Sequence, residues 1–296
     1  MAGRSKGNRN RKSKERETAV TDPTMIQVSP EDARKQTIIG VIVVALVIAL
    51  IGGIMTWRII AGKQDAEQVA TSQGSAYDIM NSSSTDRPSD YLTKDGAFVV
   101  TKDGVVKDPA TVVSKLGKNV KIVDTYVDLN CPGCGAVDRS LNRYYQQYLE
   151  NGKIALRVHL IAFLNNVSSD QYSERAANAV YRMLDVAPDK TLDYMTYLLS
   201  DGVQPGEGAE YKSFTDKDLQ AAAVKVGVDQ GKVSTLTDKK YDTYVTNVTT
   251  YVVNDKDLWK ENATSFTTPI VLVDGKQLTF DDSGAFINQF IDLINK

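Results

Sequence analysis

One run of twenty uncharged residues, Ile38–Trp57 (IIGVIVVALVIALIGGIMTW), constrains this chain more than any other segment. As a helix rising about 1.5 Å per residue, it spans a hydrocarbon core roughly 30 Å thick. It has no polar face, as a helix in a soluble core would. Trp57 closes the run where an interfacial aromatic is expected. A cleaved export signal has a shorter apolar region with a small-residue cleavage site close behind it. Here more than thirty residues precede the run, and the small residues around Ser72 lie too far downstream. The reading is an uncleaved, single-pass membrane anchor over residues 37–61.

Charge sets its orientation. Arg4, Lys6, Arg9, Arg11, Lys12, Lys14, Arg16, Arg34 and Lys35 precede the run, whereas only Arg58 and Lys63 follow closely. The positive-inside rule puts residues 1–36 in the cytoplasm as a disordered basic tail, and the long remainder outside the cytoplasmic membrane. The net charge of −2 gives no sign of a nucleic-acid partner. The chain has only two cysteines, too few for a disulfide-stapled scaffold. Both lie in one four-residue motif.

Residues 62–95 are polar, and NSSSTDRPSD (81–90) has loop composition, so this stretch reads as a stalk. Residues 96–296 read as the folded domain. AFVVTKDGVV (97–106) suggests a hairpin or an irregular strand pair, and KIVDTYVDL (121–129) a strand rich in β-branched residues. After it, Val137, Leu141, Tyr144, Tyr145 and Tyr148 recur at helical spacing. IALRVHLIAFL (154–164) is strand-like, with Arg157 and His159 alternating against an apolar face. Helical patterns occupy most of 168–258. PIVLV (269–273) then forms a short strand, Asp274-Gly275 a hairpin turn, and Gln277–Phe280 its partner. Residues 283–296 close the chain as an amphipathic helix. Strands alternating with helices imply an α/β sheet covered on both faces.

The chemistry centres on Cys131-Pro132-Gly133-Cys134, where a strand ends and a helix begins. Unpaired N–H groups and partial positive charge at a helix N-terminus stabilise a thiolate on the first cysteine. The thiolate is the reactive species in disulfide exchange. Two intervening residues bring both sulfurs onto the first turn, and Pro132 suits that turn because it has no N–H to satisfy. Cys131 is expected to be the exposed member that forms a mixed disulfide, and Cys134 the inner one that resolves it. One Cys-x-x-Cys with a single histidine falls short of a four-ligand zinc site, so no metal is expected. His159, without a partner motif, reads as a half-exposed strand residue.

DLNCPGC (128–134) resembles the Asp-x-x-Cys-Pro-x-Cys segment of DsbA-like thioredoxin-fold oxidoreductases, and FTTPIVLVDGK (266–276) resembles that family's Thr-Pro loop, strand and turn. The resemblance covers roughly residues 95–296 and implies a thioredoxin fold carrying a helical insertion, behind one transmembrane helix. It also implies a cis Pro269 beside Cys131 and Cys134, with Pro132 and Gly133 completing the motif and the Thr268 backbone pairing with an extended substrate. No cofactor is implied beyond the Cys131–Cys134 disulfide. Exported cysteine-containing proteins would be substrates, and a quinone-linked membrane partner would re-oxidise the enzyme.

Two positions depart from the family pattern. Thr125 stands where many relatives carry a buried acid that accepts the resolving thiol's proton, which leaves Asp128 as a possible acceptor. Gly133 stands where strong oxidases often have histidine. The favoured reading is a dithiol oxidase. The alternatives are a membrane-tethered reductase or isomerase and, from another class, a peptide-binding chaperone-like module without redox turnover.

Overall fold

The computed structural model describes residues 88–260, 263–281 and 284–296. The basic tail, the apolar run and the stalk up to residue 87 lie outside the described residues. No helix among the described residues is long and apolar enough to cross a membrane.

The sheet starts with β1 (Ala97–Thr101), which turns through Gly104 into the short antiparallel β2 (Gly104–Val105). Helix α1 (Pro109–Ser114) leads to β3 (Lys121–Val127). Helix α2 (Pro132–Glu150) then crosses over to β4 (Ile154–Leu160), which lies parallel to β3. A strand–helix–strand crossover of this kind is what allows two successive strands to run parallel. Four helices follow: α3 (Tyr172–Val186), α4 (Thr191–Leu198), α5 (Asp216–Lys225) and α6 (Asp242–Asn254). The chain re-enters the sheet as β5 (Ile270–Val273), antiparallel to β3, turns into β6 (Lys276–Gln277), and ends in α7 (Phe286–Ile294). Both turn residues of that last hairpin, Asp274 (φ 48°) and Gly275 (φ 78°), are left-handed, as a two-residue turn matched to strand twist requires. The strand order is β2-β1-β4-β3-β5-β6.

Three strands stop earlier than their sequence pattern suggests. Past Val127 the Asp128 carbonyl accepts the Cys131 N–H (3.0 Å), so the chain turns rather than pairs. Past Leu160 the Ile161 N–H still reaches the Val127 carbonyl (3.0 Å), but the Leu164 N–H goes to the Asp128 carboxylate (2.7 Å). The last strand ends at Gln277, although the Leu278 N–H still reaches the Val271 carbonyl at 2.8 Å.

Sheet parity separates two faces. Val123, Thr125 and Val127 share one face with Leu156, Val158 and Leu160. Helices α2 and α7 meet there, with the Phe290 ring edge-on to Tyr145 at 5.5 Å. Asp124, Tyr126, Arg157 and His159 lie on the other face, where α6 packs through Val248 and Val252 beside Ile161 and Ile270.

That second face corrects the expectation for His159. Its alternation with apolar residues suggests half-exposure, yet it is 1% exposed. The face that looked polar is covered as well, so its polar residues are buried with partners. His159 Nε2 lies 3.0 Å from Asp124 Oδ1, and its ring stacks on Tyr126 at 4.2 Å. Arg157 pairs with Asp124 at 2.9 Å and also with Asp95.

Candidate active site

Cys131 is the N-cap of α2, and Pro132 occupies the first helical position. The exposure expected of Cys131 is not observed: it is buried at 7%, against 3% for Cys134, because the Thr268–Pro269 loop packs over the motif. The Cys131 sulfur accepts the Cys134 N–H at 3.4 Å and the Thr268 hydroxyl at 3.2 Å. The hydrogen bond from the Cys134 thiol is the largest influence on Cys131 and lowers its pKa; burial opposes it, while Thr268 and the Cys134 backbone assist. Cys134 moves the other way. Burial pushes its thiol well above the ordinary range, and the neighbouring Cys131 pushes it further. Its Sγ faces the Tyr126 carbonyl at 3.9 Å. One sulfur is prepared as a thiolate and the other retains its proton.

The Thr268–Pro269 bond is cis, and Pro269 faces the motif across Gly133. A Cβ on Gly133 would stand 3.0 Å from Pro269 Cδ and 3.6 Å from Cys131 Sγ, so the glycine lets the proline loop approach closely. Residues some 135 positions apart in the chain, Cys131–Cys134 and Thr268–Pro269, thus form one site.

Asp128 is completely buried. Its Oδ1 accepts the Asn130 N–H (2.8 Å) and the Ser173 hydroxyl (2.7 Å), and its Oδ2 accepts the Leu164 N–H (2.7 Å). These three donors make it the tie between the motif loop, the end of β4 and α3. Burial pushes its pKa up to about 6 against those hydrogen bonds.

Sequence reading missed two contributors. Gln204, from the helical insertion, donates Nε2 to the Leu129 (3.1 Å) and Cys131 (2.9 Å) carbonyls. A Cβ on Gly135 would fall 2.1 Å from Gln204 Oε1, so the glycine after Cys134 makes room for that brace. The small residue was the available signal, but nothing in sequence pairs it with Gln204. The second is Asp138, four residues beyond Cys134 and only 7% exposed. It lines a cavity of about 10 Å³ together with Cys134, Thr125, Tyr145 and Pro269. Its helical offset from Cys134 was legible; its burial was not.

A strand–helix junction that presents two unequal cysteine sulfurs against a cis-proline loop, within a thioredoxin-type sheet, defines a thiol–disulfide oxidoreductase. The chain belongs to the Thioredoxin_4 family (thioredoxin), whose model matches residues 118–292. No curated protein matches it. Among solved structures, oxidised DsbA of Mycobacterium tuberculosis is 24% identical, with 68% of this chain and 93% of that one aligned at a TM-score of 0.52. Reduced DsbG of the same organism is 24% identical, with 68% and 88% aligned at a TM-score of 0.52. MdbA, a thiol-disulfide oxidoreductase from Corynebacterium diphtheriae, is 18% identical, with 71% and 97% aligned at a TM-score of 0.51. These likenesses establish the shared fold with a helical insertion.

Proposed function

We propose that the protein is a membrane-anchored dithiol oxidase, acting outside the cytoplasm on newly exported proteins that contain cysteines. The observation that carries the reading is the asymmetry of the pair: Cys131 is lowered and Cys134 raised, on one helical turn. A disulfide donor works when its own reduced form is stabilised. Two donors to the Cys131 sulfur, the Cys134 N–H from α2 and the Thr268 hydroxyl from the proline loop, support that stabilisation.

Cys131 is the attachment point for substrate: in the donor direction the substrate thiolate attacks its sulfur and Cys134 leaves, whereas in the reverse direction Cys131 is the nucleophile and Cys134 resolves the mixed disulfide. Pro132 and Gly133 shape the turn and the approach to Pro269. The backbone of Thr268 pairs with the substrate as an added strand. The apolar run at 38–57 anchors the enzyme with its N-terminus in the cytoplasm, and a quinone-linked membrane partner restores the disulfide.

The reduction potential of Cys131/Cys134, equilibrated against a glutathione or dithiothreitol couple, tests the direction. A value of about −120 to −180 mV is expected for a donor. A value at or below about −270 mV would place the protein among reductases and overturn the oxidase assignment. Cys131→Ala separates exchange from peptide holding: exchange is lost, whereas a chaperone-like module would keep its activity.

A further inference from the structure

We infer that Asp138, which lines the same buried cavity as Cys134, is the proton acceptor for the resolving thiol. The inference rests on the exchange reading above and deepens it.

Thr125 points from β3 into the small cavity beside Cys134, and a hydroxyl there cannot take up a thiol proton near neutral pH. Asp138 lines the same cavity from α2. It sits four residues after Cys134, so the two side chains lie on one face of the helix, one turn apart. Its Oδ2 is buried without a hydrogen-bond partner, and so is the Tyr145 hydroxyl that lines the same space. A buried carboxylate oxygen without a donor carries an uncompensated desolvation cost, and beside a reacting sulfur it marks a candidate acid–base group. The volume, about 10 Å³, is close to the least that holds one water, enough to relay a proton across the cavity. Asp128 is placed differently, because both its oxygens are already occupied by donors.

The groups that face Asp138 are few. On its own helix they are Cys134, Tyr145 and Arg139, whose Nε pairs with Asp201 at 3.0 Å. Thr125 faces it from β3, and Thr196 from α4. Burial dominates over Arg139 and Thr196 and pushes its carboxyl up to about 6, where it exchanges protons under working conditions.

In resolution the Cys134 S–H bond breaks and its proton passes to the Asp138 carboxylate. The Cys134 sulfur attacks Cys131 Sγ, the Cys131–substrate S–S bond breaks, and the substrate sulfur leaves with the electron pair. Cys131 and Cys134 end oxidised and the substrate thiol reduced. In the donor direction the same path reverses: substrate thiolate attacks Cys131 Sγ, and Cys134 leaves as a thiolate that takes the proton back from Asp138.

The test uses the full chain in its reduced form, mixed rapidly with oxidised glutathione, quenched in acid and weighed by mass spectrometry across roughly pH 5–8. Wild type should pass quickly through the Cys131–glutathione mixed disulfide, with a resolving rate that rises through an ionisation near that of Asp138. In Asp138→Asn, which preserves the shape, the mixed disulfide should accumulate. Resolution should slow by at least about tenfold near pH 7 and lose the lower inflection, while the first attack by Cys131 stays within about twofold. Asp138→Glu, which keeps the carboxyl, should restore part of the rate. Unchanged resolution and profile in Asp138→Asn would overturn the proposal. So would a wild-type profile that is flat through the Asp138 ionisation, a result that needs no variant to fold. A wild-type chain that forms no mixed disulfide at all would instead overturn the exchange reading, and the proposal with it.

Discussion

The two faces of the central sheet hold buried acids in opposite ways. On the face covered by α6, Asp124 is bound by both Arg157 (2.9 Å) and His159 (3.0 Å), and Asp95 pairs with Arg157. Burial alone would raise Asp95, but the charges of His159 and Arg157 outweigh it and hold the carboxyl down at about 2. On the face covered by α2, Asp138 keeps an oxygen without a partner, and burial lifts its carboxyl to about 6. Both clusters straddle β3, within a few residues of each other. The partnered acids tie neighbouring strands together. Asp138, with one oxygen lacking a partner, shares a cavity with Cys134 and stands ready to change charge. Burial alone does not mark a functional acid; burial without compensation, next to a reacting atom, does.

Breaking each face should therefore have opposite results. Arg157→Met removes one partner of Asp124, which keeps His159, and the partner of the half-buried Asp95, which should cost about 3 kcal/mol in denaturant unfolding. The reduction potential should remain within about 10 mV of wild type, since no sulfur is touched.

Asp138→Asn should do the reverse and stabilise the fold. Folded Asp138 holds its proton up to about pH 6, against 3.8 for an ordinary aspartate. Between those values the folded state binds more protons than the unfolded state, so stability falls as pH rises through the window. The variant escapes that loss. It should gain about 2 kcal/mol at pH 7 and little below pH 4, as read by unfolding at the two pH values. A variant less stable than wild type at pH 7 would show that Asp138 is a structural acid like Asp124.

Asp95 gives the opposite pH signature. Its carboxyl is lowered from 3.8 to about 2, so the stability it contributes is present above pH 4 and is lost as pH falls toward 2. In Asp95→Asn the stability read by denaturant unfolding should fall less steeply between pH 4 and 2 than in wild type. The smallest effect is expected from Gln204→Ala, which frees the Leu129 and Cys131 carbonyls and should cost about 1 kcal/mol. It should also speed hydrogen exchange in the first turn of α2 more than elsewhere.

Much of this arrangement was legible in the chain. The order of strands and helices follows from local periodicity: β3, α2 and β4 each carry a pattern that matches their own geometry. The meeting of Cys131 with Thr268 came from two motifs in a familiar order. Contacts across unrelated segments left no such trace. Gln204 belongs to a loop in the insertion, and only its placement against Gly135 makes it a brace. His159 reads as half-exposed because alternation reports two faces of a strand and says nothing of what covers the second. Asp138 looks like a surface residue of an amphipathic helix until α4 and β3 close over it.

The account depends on unequal sulfurs: Cys131 prepared as a thiolate, Cys134 kept as a thiol. Iodoacetamide labelling of the reduced protein, followed site by site by mass spectrometry across roughly pH 4–9, measures that inequality directly. Cys131 should label with a midpoint well below that of an ordinary cysteine, and Cys134 should stay unmodified until far higher pH. Equal labelling at a common, ordinary midpoint, or faster labelling of Cys134, would contradict the account.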